Sequence, residues 1–128
     1  MTFMLQKEVA DRIFARHGNK TYGRLSVMMQ TFFEVELMFT VSKESFYPKP
    51  KIDSSIIYLK TRVNPLTENI KLLEKIVRVS FSQRRKTLKN CLKSLLSQEQ
   101  TEIDLSQRAE MLSVDNFITL MKDYEKQN

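Results

Sequence analysis

Residues 80–93 concentrate positive charge that could bind phosphate. They contain five cationic side chains and no acidic one, namely Arg84, Arg85, Lys86, Lys89 and Lys93. If Ser82 caps a helix, three of these cations lie in its first turn, where the partial positive charge of a helix N-terminus opposes them. Free backbone N–H groups beside guanidinium groups favour phosphate. We therefore interpret Arg84, Arg85, Lys86 and Lys89 as phosphate contacts. The alternative is a solvated face of an amphipathic helix.

A second candidate is the aromatic and proline-containing segment at residues 45–54, SFYPKPKIDS. Its two prolines stiffen the backbone next to Phe46. An aromatic ring held in this way could stack on a nucleic-acid base, with Lys49 and Lys51 near the phosphates. The pattern alone favours the plainer interpretation, a core phenylalanine beneath a loop.

Other chemistries find little support in the residue types. Gly18 and Gly23 are the only glycines, which excludes the glycine-rich nucleotide loops. His17 is the only histidine, and we expect no metal site around it. Cys91 is the only cysteine, so no internal disulfide forms, and we expect it in the core.

Composition points to an anionic partner in the cytoplasm. The 128 residues carry a net charge of +6, which is typical of proteins that bind nucleic acid. Residues 1–62 hold ten basic and six acidic side chains, and residues 63–128 hold eleven and nine. No apolar run approaches the roughly 18 residues of a membrane span. The first residues lack the order of a signal peptide, and a single cysteine fits the cytosol.

The first half predicts alternating strands and helices. Hydrophobic spacing indicates strands at residues 2–6, 35–41 and 53–60, and helices at 8–15 and 24–33. The isoleucine-rich third strand predicts burial on both faces. Residues 45–51 predict an extended connection, because proline fits neither a helix interior nor a paired strand.

The second half predicts helices only. We place a boundary at residues 62–66, and the first helix buries Leu73, Ile76, Val77 and Phe81. A second helix, capped by Ser82, buries Leu88, Cys91, Leu92, Leu95 and Leu96. Residues 98–104 form a polar loop, and Ser106 and Ser113 cap two last helices that end near Glu125. Residues 1–62 and 63–128 are thus predicted to be separate parts.

Five segments, in order, resemble one family. They are MTFMLQKEVADR at residues 1–12, YGRLSVM at 22–28, SFYPKPKIDS at 45–54, FSQRRKTL at 81–88 and AEMLSVDNF at 109–117. The chain resembles the carboxyl-terminal half of bacterial rRNA adenine dimethyltransferases, and FSQRRKTL resembles the small-subunit type.

The resemblance implies an α+β fragment: the last three strands and helices of a Rossmann-like methyltransferase sheet, followed by a small helical rRNA-binding domain. The last strand would lie antiparallel between the other two. The activity implied is methyl transfer from S-adenosylmethionine to the exocyclic amine of two adjacent adenines in 16S rRNA, with the rRNA or a pre-30S particle as partner. Phe46 would neighbour the target base.

The chain departs from this family in one respect. The glycine-rich cofactor loop, the acidic residue for the ribose and the Asn-Leu-Pro-Tyr-like catalytic loop are absent, and would lie before Met1. No cofactor-binding residue is therefore assigned, and we expect the chain alone to be inactive. The open edge at residues 2–6 predicts self-association. The alternatives are a non-catalytic RNA-binding or ribosome-assembly module and a transcription factor derived from this family, as in mitochondria.

Overall fold

The computed structural model describes residues 1–127, in which three strands and two helices precede a helical region. The strands are β1 (Thr2–Gln6), β2 (Phe33–Val41) and β3 (Ser54–Thr61). The helices are α1 (Lys7–Phe14), α2 (Arg24–Phe32), α3 (Ile70–Ser80), α4 (Leu88–Cys91) and α5 (Val114–Lys126). Short 3-10 turns occupy Lys43–Ser45, Gln98–Gln100 and Ala109–Met111.

The sheet has the order β1-β3-β2, and β3 runs antiparallel to both neighbours. This is the central placement of the last strand that the family resemblance implied. Side chains alternate along β3, so Ser55, Ile57 and Leu59 are buried while Tyr58 is exposed. The predicted burial of β3 on both faces is therefore wrong. The reason is that α1 and α2 pack on one face of the sheet only, as far as residues 1–127 show.

A small core lies between α1 and the sheet. Ala10 and Ile13 of α1 pack against Ile57 and Leu59 of β3. The opposite side of α1 faces solvent and carries two ion pairs spaced four residues apart, a spacing that brings side chains together on a helix. Lys7 contacts Asp11 at 2.7 Å, and Arg12 contacts Glu8 at 3.1 Å.

The larger core belongs mainly to the helical region. Leu73, Ile76, Val77 and Phe81 are buried as predicted, and so are Leu88, Leu92 and Leu96. Cys91, predicted in the core, is only half-buried. This core also contains Ala15, Tyr22 and Val27, so it continues across the predicted boundary at residues 62–66. Within residues 1–127, no helix has the length and apolarity to cross a bilayer.

Of the three predicted serine caps, only Ser113 is confirmed. Its side chain accepts the N–H of Asn116 at 3.2 Å at the start of α5. Ser106 instead donates to Asp104 in a local turn, at 2.6 Å from its hydroxyl, and no helix follows it. The hydroxyl of Ser82 donates to the carbonyl of Val79 at 2.6 Å. Short hydroxyl side chains make such local bonds as readily as they cap a helix, and the spacing pattern does not separate the two.

Arg84 joins the helical region to the α1–α2 connection. Its guanidinium donates to the carbonyl of Lys20 at 3.1 Å and to that of Tyr22 at 2.6 Å. It also lies over the ring of Phe81, 5.4 Å from the centroid, and Phe81 packs edge-on against Tyr22 at 6.2 Å. A Cβ at Gly23 would lie 3.1 Å from the Arg84 Nη1 atom, so a residue without a side chain suits this close approach.

Tyr22 gives the first prediction, because its buried hydroxyl has no hydrogen-bond partner within residues 1–127. Leaving a buried polar group unpaired costs about 1–3 kcal/mol. We expect Tyr22→Phe to raise the free energy of unfolding by about 1 kcal/mol in urea titrations at neutral pH. An unfolding free energy lowered by more than 1 kcal/mol (on the order of one lost hydrogen bond) would mean that the hydroxyl is bonded.

The same residue adds a pH dependence. Burial raises the pKa of Tyr22 above its ordinary value of 10.0. The stability that this shift contributes is present below that ordinary value and is lost as the pH rises above it, because the unfolded state then releases the proton first. Between neutral pH and about pH 11, native protein should therefore lose more stability than Tyr22→Phe.

Arg84 gives the second prediction. Arg84→Ala should lower the free energy of unfolding by about 1–3 kcal/mol, because two carbonyl bonds and a ring contact are lost. Arg84→Lys should recover little, since an ammonium lacks the planar fork that spans two acceptors. Arg85→Ala is the matched control, and we expect a change within about 0.5 kcal/mol. Equal losses in Arg84→Ala and Arg85→Ala would contradict a joining role for Arg84.

Candidate functional site

Three chain segments meet at one edge of the sheet. Because β1 and β2 both run antiparallel to β3, their carboxyl ends lie together with the start of β3, and Gln6 and Val41 both pair with Ser54. Ligands of open α/β sheets bind outside the carboxyl ends of the strands. The connection at residues 42–53, here called the aromatic loop, lies at this edge and carries Phe46 and Tyr47.

Asp53 fixes the base of the aromatic loop. Its carboxylate accepts the backbone N–H of Lys43 at 2.9 Å, and its carbonyl accepts the N–H of Lys7 at 3.0 Å. At the other end of the loop, the hydroxyl of Ser42 accepts the N–H of Glu44 at 3.2 Å. The loop is therefore anchored at both ends, so its aromatic residues are held near the edge of the sheet.

The two aromatic residues of the loop differ in exposure. Phe46 is half-buried, whereas Tyr47 is fully exposed, at 102% of its reference area. A base approaching from solvent would meet the Tyr47 ring first. Sequence reasoning singled out Phe46; the extended backbone that projects Tyr47 outward follows from the whole loop, and no spacing rule distinguishes the neighbouring rings.

The lysines of the aromatic loop are not equivalent. Lys49 forms an ion pair with Glu44 at 2.7 Å, with both side chains largely exposed. Lys51 has no salt bridge within residues 1–127 and lines a cleft of about 430 Å³ beneath the loop. Lysines 7 and 43 line the same cleft, as do three acids, Glu8, Asp11 and Asp53. Lys51 is thus the freer of the two predicted cations.

Charges in this cleft largely neutralise one another. The hydrogen bond from Lys7 to Asp11, together with the negative charge of Asp11, raises the pKa of Lys7 above its ordinary value, so Lys7 remains protonated but paired. Glu8 pairs with Arg12. The cleft is therefore a mixed polar surface, and its free cations are those at its rim, such as Lys51.

The second candidate is residues 82–89, here called the basic turn. Helix α3 ends at Ser80, residues 81–87 are turns and bends, and α4 begins only at Leu88, with Thr87 before it. The three cations therefore follow a helix C-terminus, where positive charge is favoured, and do not occupy a first turn. The dipole argument for a phosphate site is wrong in this respect, and what remains is exposure and the absence of acid.

The cations of the basic turn divide into two groups. Arg84 is engaged with the carbonyls of Lys20 and Tyr22. The side chains of Arg85, Lys86 and Lys89 are exposed and form no salt bridge with any described residue. Only this second group is available to an external anion without breaking an internal contact.

Thr21 connects the two candidates on one surface. It lines the cleft beneath the aromatic loop and also a pocket of about 240 Å³ lined by Arg84. Arg12 and Arg24 line this second pocket too, and Arg24 pairs with Glu74 at 3.1 Å. Sequence reasoning missed Thr21, Arg12 and Arg24; the only signal was that Arg24 lies within the quoted YGRLSVM segment.

Metal ligation finds no support in the described part of the chain. Residues 1–127 contain no group of three or more His, Cys, Asp or Glu side chains placed to hold a metal ion. Gly18 adopts a left-handed φ of 86° in the loop after α1, where its N–H binds the carbonyl of Glu110 at 2.6 Å. That glycine serves a turn, as its sequence context predicted.

Comparison with known proteins gives a consistent picture. The family model for ribosomal RNA adenine dimethylase matches residues 1–126. Ribosomal RNA small subunit methyltransferase A of Legionella pneumophila (strain Corby) is 50% identical over 127 residues, which cover 95% of this chain and 50% of the relative. The protein of the same name from Francisella tularensis subsp. novicida (strain U112) is 45% identical over 92% of this chain and 47% of its own length. The chain thus spans about half the length of these relatives.

Two solved structures share the fold. A dimethyladenosine transferase from Plasmodium falciparum superposes with a TM-score of 0.85 at 24% identity, over 98% of this chain and 57% of its own. The 23S rRNA methyltransferase ErmE superposes with a TM-score of 0.71 at 23% identity, over 97% and 54%. With the family match over residues 1–126, the conclusion is that this chain belongs to the ribosomal RNA adenine dimethylase family.

Proposed function

We propose that this chain is the carboxyl-terminal part of an S-adenosylmethionine-dependent enzyme that dimethylates adenines of 16S rRNA during small-subunit biogenesis. Its own role is to hold the RNA. Membership of the family over residues 1–126 is the observation that carries this proposal. The relatives from Legionella and Francisella bear the small-subunit name, and the proposal extends that substrate to this chain.

The aromatic loop is proposed to receive the target adenine. A base must leave its stack before its exocyclic amine can be modified. The exposed base then needs an aromatic surface, and stacking is worth about 1–3 kcal/mol per base. Phe46 is the neighbour that the resemblance assigns, and Tyr47 is the more exposed ring beside it. Lys51, and more weakly the paired Lys49, would attract the flanking phosphates.

The basic turn is proposed to bind the RNA backbone. Arg85, Lys86 and Lys89 can each neutralise a phosphate, whereas Arg84 is proposed to hold the turn in place through its carbonyl bonds. Recognition there would follow backbone and shape, since cations contact phosphates without reading bases. Because Thr21 joins both surfaces, a single RNA could contact the aromatic loop and the basic turn together.

The methyl donor is proposed to bind outside this chain. S-adenosylmethionine supplies an electrophilic methyl group. The described residues do not fit it, because neither Gly18 in its turn nor Gly23 against Arg84 belongs to a glycine-rich phosphate-type loop. The chain alone is therefore expected to be inactive.

A second candidate function is a non-catalytic RNA-binding or ribosome-assembly module. The observation that favours it is the same lack of a glycine-rich loop. In either case the proposed partner is small-subunit rRNA or a pre-30S particle in the cytoplasm. A further copy of the chain is a second proposed partner, which would bind at the open edge of the sheet.

The third prediction tests the RNA surface. RNA binding should weaken with salt, and Arg85→Ala should reduce the slope of log affinity against log salt by about 0.7–0.9, because one phosphate contact is lost. Lys122→Ala, an exposed cation on α5, is the matched control and should leave the slope unchanged. The measurement is a titration of small-subunit rRNA at several salt concentrations. Equal slopes for Arg85→Ala and native protein, with the fold intact, would assign the basic turn to solvent.

The fourth prediction separates the enzyme fragment from a complete enzyme. Calorimetry of the 128-residue chain with S-adenosylmethionine should show no saturable heat, because the residues that would hold the cofactor are not in it. Stoichiometric binding at micromolar affinity would contradict the proposed division of labour. Restored methylation when the other half of a relative is added would favour the enzyme over the assembly module.

A further inference from the structure

The sheet has two edges, and they differ in their protection. Strand β2 carries Glu34 and Glu36 and a register irregularity between Leu37 and Phe39. Charges and bulges on an edge strand oppose pairing with another chain. Strand β1, TFMLQ, carries no charge, pairs without a register shift, and exposes Phe3 and Met4 by 41% and 57%. Only β1 is therefore left open to pairing.

Hydrogen bonds at the ends of β1 identify the backbone groups that face outward. Met1 and Leu59 exchange two bonds of 2.8 and 3.0 Å, and the N–H of Lys7 binds Asp53. In an antiparallel ladder, residues alternate between bonding the neighbour and pointing away. Odd-numbered residues of β1 therefore face β3, and the N–H and C=O groups of Thr2, Met4 and Gln6 point to the open edge.

We propose that a second copy of this chain pairs with β1 in an antiparallel arrangement centred on Met4. Thr2 would then face Gln6 of the partner subunit, and the outward backbone groups would form about six hydrogen bonds across the two-fold axis. The result is a continuous six-stranded sheet. This interaction is independent of the proposed RNA contacts.

Side chains agree with this register. Phe3 lies on the same face as its pair Ile57, towards the helices, and Met4 lies on the uncovered face with its pair Ile56. Pairing centred on Met4 places Phe3 opposite Leu5 of the partner subunit, an aromatic–aliphatic cross-strand pair. No charged side chain of one β1 faces a charged side chain of the other, so self-pairing meets no repulsion within the strand.

The fifth prediction uses the parity of β1. In sedimentation across a concentration series, the 128-residue chain should form dimers, and Met4→Lys should weaken association by about tenfold or more, because two ammonium groups then lie across the axis. Met4→Pro should do the same while retaining the fold, since it removes an outward N–H and leaves the bonds to β3 intact. Met38→Lys is the matched control: Met38 is an exposed methionine on β2, and its variant should still dimerise.

Amide hydrogen exchange gives a second readout. The N–H groups of Thr2, Met4 and Gln6 should become protected as concentration rises, whereas those of Phe3 and Leu5 should be protected at all concentrations. A monomer at every concentration, with the three outward amides exchanging freely, would overturn the proposal. So would dimers weakened by Met38→Lys and unaffected by Met4→Lys, which would move the interface to the uncovered sheet face. Protection of these amides only after the other half of a relative is added would assign the edge to that polypeptide instead. If Met4→Pro fails to fold by circular dichroism, Met4→Lys decides alone.

Discussion

The insertion of β3 between β1 and β2 is the constraint on which the other features depend. An antiparallel central strand forces its two neighbours to run in the same direction, so Gln6 and Val41 both finish beside Ser54. The aromatic loop must then cross the end of the sheet between β2 and β3, and Asp53 can tie it to the start of α1. The same arrangement leaves the uncharged edge of β1 open.

A second contact sets the position of the basic turn. Tyr22 and Phe81 bring the α1–α2 connection against the end of α3, and Arg84 spans the junction by bonding two carbonyls over 60 residues away in the chain. This uses the one cation of the cluster whose geometry suits a planar fork. Arg85, Lys86 and Lys89 then project from a fixed base on the same surface as the aromatic loop.

The charge of the molecule is therefore better described by pairing than by its net value. Lys7, Arg12, Arg24 and Lys49 all have acidic partners close by, so they add little to the field felt by a distant anion. The cations that remain free of salt bridges are those of the basic turn and Lys51. An excess of positive charge supports an anionic partner, but the pairing pattern selects where that partner would bind.

Local pattern determined much of this protein. Hydrophobic period placed the strands and helices near their observed positions, and the quoted segments were enough to indicate the family to which residues 1–126 belong. Tertiary structure alone decided the rest. Ser82 bonds backwards to Val79, so the basic residues follow a helix end, and β3 is covered on one face only. Arg84 and Arg85 are adjacent and chemically identical, yet one joins two regions and the other is free. Sequence spacing describes neighbours along the chain, whereas the carbonyls that engage Arg84 become its neighbours only when the chain is folded.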